Sequence, residues 1–267
     1  MKLCYNSIHL KGIRMDRIIL ELKKYKNIII GIVVVFVVII LVFLLLPNDS
    51  SKGIDYIKET ESKDPSSLSE QLSEKRLAER KQAIADGKLD VFGLFDDYLI
   101  LGDSRATGFY LYGYLLESRV YAYNGATILS IDEWIDSIQK LQPQNIYVSF
   151  GMNDIKNNLN DSSNGGYSQL LSEQIKKVLN VCPQATIYVN SIIPASQSTT
   201  QSNSDLWSQI DVYNAQIQQA CQDNGWTYID NSSLVQDQSE SIYESDGIHF
   251  VSSFYEKWAR NIMGVLE

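Results

Sequence analysis

Four short blocks carry residue types that can do chemistry together. Gly102-Asp103-Ser104 offers a hydroxyl, Asn124-Gly125 a backbone N–H free of side chain, Gly151-Met152-Asn153-Asp154 a side-chain amide, and Asp246-Gly247-Ile248-His249 a carboxylate three residues before an imidazole. A serine hydroxyl attacks poorly until a base takes its proton. His249 is one of two histidines, the other being His9, so it is the base available to Ser104. Asp246 is suited to accept the Nδ1 proton and fix the tautomer. Attack on an ester carbonyl builds up an oxyanion, for which the N–H groups of Ser104 and Gly125 and the Asn153 amide are donors. Each block also has an ordinary reading: Ser104 as a helix cap, Asn-Gly as a turn, Asn153 as another cap, Asp246-Gly247 as a loop. Their joint occurrence in this order is what points to acyl transfer through Ser104, His249 and Asp246.

Such residues need a scaffold that brings them together. Strand-like stretches at Tyr98–Leu101, Val120–Tyr123, Asn145–Phe150, Ala185–Ile192 and Trp226–Ile229 alternate with helical ones at Ala106–Leu116, Ile131–Leu141, Tyr167–Val181, Asp205–Asp223 and Ser252–Leu266. Five βα units predict an α/β fold, a parallel sheet covered by helices on both faces. Ligands of such sheets bind at the carboxyl ends of the strands, where the first three blocks fall.

In these four blocks the chain, from about Val91 to its end, resembles the SGNH hydrolases, also called the GDSL esterase/lipase family. The resemblance implies a three-layer α/β/α sandwich with a five-stranded sheet of flavodoxin-like order. It also implies a serine nucleophile acting on ester-linked acyl groups, without cofactor or metal. The motif's fourth position departs, with Arg105 where the family pattern has leucine, which bears on substrate choice or packing. Asp103 and Asp154 are expected to hydrogen-bond neighbouring loops. A conventional α/β-hydrolase is a poor fit, because its Gly-x-Ser-x-Gly elbow meets Ala106 here. Gly102 to Gly108 does not spell a dinucleotide fingerprint. A metal would have to use His249 with scattered carboxylates such as Asp96, Asp97 and Asp154, and none is expected. Cys182 and Cys221 read as separate small core residues rather than a disulfide.

Before this domain, Ile28 to Leu46 is an unbroken run of 19 uncharged, mostly aliphatic residues. As a helix it would be about 28 Å long, near the thickness of a bilayer core. The run is too long for a cleaved signal peptide, and no small-x-small site follows it. Lys and Arg residues precede it, whether the chain starts at Met1 or Met15, so the N-terminus is expected in the cytoplasm and the rest outside. The expected organisation is a basic cytoplasmic segment (1–27), a transmembrane signal anchor (28–46), a polar stalk and spacer helix (47–90), and the hydrolase domain (91–267). The spacer helix is expected between Ser66 and Gly87, with Ser67 as N-cap. A coil from Asn48 to Pro65 would reach roughly 25 Å, keeping the domain near the membrane.

The net charge is −9 overall. Seven basic and two acidic residues precede Pro47, so the remainder carries −14. That charge excludes nucleic acid as the main partner and gives the outer domain no bulk attraction to anionic lipid; no protein partner can be named. The loops Ile155–Gly166 and Ala195–Ser204 should overhang Ser104, with Tyr110 and Tyr123 close enough in sequence to line the site. Their Asn, Ser, Thr and Gln content suits a carbohydrate-linked ester better than a long acyl chain. The function expected is therefore a membrane-anchored extracytoplasmic esterase removing short acyl groups, acetyl among them, from envelope glycans. Alternatives are an O-acyltransferase using the same residues and a catalytically silent tethered binding module.

Overall fold

A computed structural model of the chain describes residues 23–45, 65–235 and 240–265. The chain divides into two units, residues 1–69 and 70–267. In the first, helix α1 (Lys26–Leu45) is 20 residues long and covers most of the apolar run. Its described aliphatic and aromatic side chains are exposed along the whole length, Phe36 by 66%. Among the described residues, no helix is long and apolar enough to cross a membrane. Residues 1–22 of the expected cytoplasmic segment, the last residue of the expected anchor and residues 47–64 of the expected stalk lie outside the described residues, as do the side chains at the expected Ser67 cap.

Helix α2 (Pro65–Ala85), whose residues from Glu70 on belong to the second unit, ends where Gly87 adopts φ +67°. There the Gly87 N–H bonds the Ile84 carbonyl and the Lys88 N–H the Ala83 carbonyl, a glycine-closed C-terminus of the kind the sequence predicts. The core elements follow as β1 (Tyr98–Gly102), α3 (Ser104–Leu111), β2 (Val120–Ala122), α4 (Ile131–Leu141) and β3 (Asn145–Ser149). Next come α5 (Met152–Lys156), α6 (Gly166–Val181), β4 (Thr186–Asn190), α7 (Gln197–Ser202), α8 (Ser204–Trp207), α9 (Gln209–Asn224), β5 (Thr227–Ile229) and α10 (Phe254–Ile262). The five strands form one parallel sheet in the order β2-β1-β3-β4-β5, the flavodoxin-like order.

Strand alternation sends side chains to two separate cores. Leu99, Leu101, Ile146, Val148, Ile187 and Val189 pack with α4, α6 and α9 residues such as Ile138, Ile175 and Ile217. Tyr98, Ile100, Tyr147 and Tyr188 face the other layer, built on Phe109 of α3 and Phe254, Tyr255 and Trp258 of α10. Both faces are covered, as an all-parallel sheet requires. At the α3–α10 seam, a Cβ on Gly108 would lie 2.0 Å from the Tyr255 ring.

Three expectations need adjusting. The first helix ends at Leu111, not 116, because Gly113 at φ +78° reverses the chain. The helix expected over 205–223 is two, α8 and α9, meeting at Ser208. The last helix stops at Ile262, ahead of Gly264 at φ +66°.

Candidate active site

Strand β1 ends in Gly102, where any side chain would collide: a Cβ would lie 2.5 Å from that of Ala106 and 2.8 Å from the Ser149 carbonyl oxygen. Asp103 then caps α3, its carboxylate accepting the Arg105 N–H at 2.9 Å. It also accepts the Met152 N–H, which ties the serine turn to the Asn153 turn. Burial raises the Asp103 pKa, against the pull of Arg105. Ser104 is therefore the first residue of a helix, displayed at the carboxyl end of β1, between β2 and β3 in the sheet.

His249 arrives from the loop before α10. Its Nε2 lies 2.8 Å from Ser104 Oγ and its Nδ1 lies 2.6 Å from Asp246 Oδ2. The other Asp246 oxygen accepts the N–H groups of Ile248 at 2.8 Å and His249 at 2.9 Å. Partial burial works against ionisation of Asp246, but the His249 ring and these two N–H groups outweigh it and hold the carboxyl at about 2. An ionised carboxylate only accepts. The neutral imidazole therefore carries its proton on Nδ1 and presents Nε2 as acceptor to the Ser104 hydroxyl.

The second and third blocks lie at the neighbouring strand ends. Asn153 is the second residue of α5, and its Nδ2 donates to the Ala126 carbonyl at 2.9 Å, which fastens it to the loop holding Gly125. One amide proton of Asn153 is thus engaged and its second is not required by that bond. Gly125 sits at φ +91° with open space where a Cβ would be. That backbone conformation favours glycine. The next carboxyl, Asp154, is fully buried (0% exposed). Its Oδ1 accepts the Ile128 N–H at 2.9 Å and the Tyr167 hydroxyl at 3.1 Å, while Oδ2 has no partner. Burial leads in pushing its pKa up to about 7. Asp103 and Asp154 thus both bond neighbouring loops, as expected.

The surroundings bear on several finer expectations. Of the two loops, 195–204 docks on the histidine loop: the Ser196 N–H bonds the Gly247 carbonyl at 2.8 Å and Thr199 Oγ1 bonds that of Asp246 at 3.2 Å. Loop 155–166 is fastened to α6 and α9, with Asn160 Oδ1 accepting from the Tyr167 N–H and from Gln216 Nε2. Tyr123 hydrogen-bonds Ser130 and Glu133, and Tyr110 packs into the α3–α10 core. Arg105 is 4% exposed, so its departure from the motif concerns the interior, not substrate choice. Cys182 and Cys221 are buried free thiols. Among the described residues, no group of three His, Cys, Asp or Glu is placed to hold a metal ion.

The family model described as GDSL-like lipase/acylhydrolase matches residues 100–257. The chain belongs to this family. It is accordingly an ester-hydrolysing enzyme. Solved structures of similar fold include a protein named as a platelet activating factor from Streptococcus pneumonia, 16% identical, with a TM-score of 0.50 over 75% of this chain and 99% of that one. An acetyl xylan esterase from Geobacillus stearothermophilus is 14% identical, with a TM-score of 0.49 over 64% and 95%. A GDSL-like lipase from Bacteroides thetaiotaomicron is 15% identical, with a TM-score of 0.47 over 62% and 85%. No curated protein matches the chain. The matched residues include all four blocks described above.

Proposed function

We propose that this family member is a membrane-anchored, extracytoplasmic serine esterase that removes short acyl groups, acetyl first among them, from hydroxyls of envelope glycans. The observation that carries the catalytic half is the unbroken chain Ser104 Oγ, His249 Nε2, His249 Nδ1, Asp246 Oδ2, with contacts of 2.8 and 2.6 Å. Ser104 Oγ attacks the ester carbonyl carbon while His249 Nε2 takes its proton, and Asp246 stabilises the imidazolium. The carbonyl oxygen becomes an oxyanion received by the N–H groups of Ser104 and Gly125 and the Asn153 amide. Collapse breaks the bond to the alkoxy oxygen, which leaves as an alcohol with the proton from His249. Water, deprotonated by the same imidazole, then releases the acid and restores Ser104.

The substrate half rests on the open setting. The side chains of His249 and Asp246 are 39% and 46% exposed, and the adjoining 195–204 loop is built of Ser, Thr, Gln and Asn after Ala195. A bulky polar alcohol can approach such a site, and a long acyl chain would find no apolar trough in that loop. The anchor rests on α1, apolar on every side, which only a bilayer or a surrounding protein core would cover.

The test is turnover of p-nitrophenyl acetate by the full-length chain in detergent micelles. Ser104→Ala is expected to lose at least about a thousandfold in kcat; turnover at the wild-type rate in that variant overturns the reading. Acetylated glycans compared with butyryl and longer esters then test the acyl length, with preference for the long esters counting against it.

A further inference from the structure

We propose that Arg105 is a positioning residue for this reaction, its guanidinium setting where His249 stands relative to Ser104. Its Nε donates to the Ile248 carbonyl at 2.9 Å, Nη2 to the Pro194 carbonyl at 3.3 Å, and Nη1 to the Ile193 carbonyl. The guanidinium carbon lies 4.7 Å from the centre of the Phe250 ring. One side chain, beginning next to the nucleophile, thus bonds the residue before His249, stacks on the residue after it, and holds the loop that follows β4. Because Arg105 is buried, it does not touch substrate; it acts through the histidine loop.

Its own root is fixed as well. The Arg105 N–H is capped by Asp103 at 2.9 Å, and its carbonyl accepts the Tyr255 hydroxyl at 2.7 Å. The planar fork therefore links two fixed points, the first turn of α3 and the backbone at 248. Leucine, which the family pattern has at this position, offers these three carbonyls no donor. The other bonds of the histidine loop reach different partners. Asp246 and Glu244 bind it to itself, through the His249 N–H and carbonyl, and Ser196 binds Gly247. Tyr112, at the far end of α3, reaches Glu244 and the Phe250 carbonyl. Besides the contact of His249 with Ser104 itself, Arg105 is what ties the loop to the serine's own turn. The stakes are geometric, since a displacement of about 1 Å in a reacting pair can cost on the order of a hundredfold in rate.

This inference rests on the serine-esterase reading, and the experiment separates the two. Arg105→Lys keeps a cation beside Asp103 and Phe250 but cannot present three N–H groups in one plane. In the full-length chain, kcat on p-nitrophenyl acetate is expected to fall at least about tenfold with KM within about twofold. The thermal midpoint stays near that of the wild type. The low-field proton resonance of the His249 Nδ1–H is expected to shift or broaden, a signature that a packing defect elsewhere in the core does not produce. Phe250→Leu retains the arginine and removes the ring face beneath it, so it gives a smaller loss of the same kind. Wild-type kcat together with an unmoved resonance, in whichever variant folds, overturns the proposal. A silent wild type, or an active Ser104→Ala, strikes at the esterase reading instead, while the resonance still reports on Arg105.

Discussion

Two aspartates near the serine are driven in opposite directions by their surroundings. Asp246 gains three N–H partners at a half-exposed edge and is held at about 2. Asp154 is fully buried, has a carboxylate oxygen with no partner among the protein atoms, and is pushed up to about 7. The consequences for stability have opposite signs. Asp246, lowered in the fold, contributes stability that is present above about pH 4 and lost as pH falls through about 2. Asp154, raised in the fold, favours the folded state while protonated. Its ionisation costs stability progressively from about pH 4 to about pH 7, with a slope of at most about 1.4 kcal/mol per pH unit. Asp154→Asn keeps an uncharged group of the same shape, so its stability should depend less on pH across that window. Urea unfolding of both proteins at pH 5 and pH 7 measures this. A pH-dependent difference between them that vanishes, or that favours the wild type at the higher pH, would remove the buried-acid account.

At the scale of the elements, the serine is presented by a strand that must end in glycine. At Gly102 the obstacle is contact, since a Cβ would strike Ala106 and the Ser149 carbonyl oxygen. Gly102→Ala therefore has to push β1 away from β3 or α3 away from the sheet. It is expected to lower stability by about 1–3 kcal/mol and to lower kcat as well, because Ser104 rides on the same turn. Chemical denaturation and p-nitrophenyl acetate turnover measure the pair, and an alanine variant with unchanged stability contradicts the contact. The strands were legible as short apolar runs between helical stretches, since both faces are buried: Leu99 and Leu101 enter one core and Tyr98 and Ile100 the other. The four blocks were legible because each follows a strand or precedes α10. The short helix α5, with five residues, leaves no room for a 3.6-residue period to show, and α7 is all Gln, Ser and Thr. Arg105 stood out in the sequence as a departure bearing on substrate choice or packing, but its bonds to the histidine loop were not legible, because Ile193, Pro194 and Ile248 lie far from it along the chain.

For the whole molecule, the charge pattern and the apolar helix make one argument. The chain beyond Pro47 carries −14, so attraction to anionic lipid does not hold it at a membrane; on the proposed reading, α1 alone does. Its 20 residues span about 30 Å as a helix. Its flank before Ile28 is basic, with Lys23, Lys24 and Lys26 adjoining the apolar run. Alkaline carbonate washing of membranes, which releases proteins held by charge, is expected to leave the full-length chain in the pellet. Placing lysine at both Val34 and Val38 sets two charges near the middle of the helix, at an insertion cost of about 2.5–3.5 kcal/mol each. That variant is expected in the soluble fraction, with turnover per fluorophosphonate-labelled site unchanged, since neither position lies in the catalytic unit. Release of the unmodified chain by carbonate would mean that α1 is covered by protein, and the proposal of an anchored enzyme working close to its membrane would fall while the esterase chemistry stood.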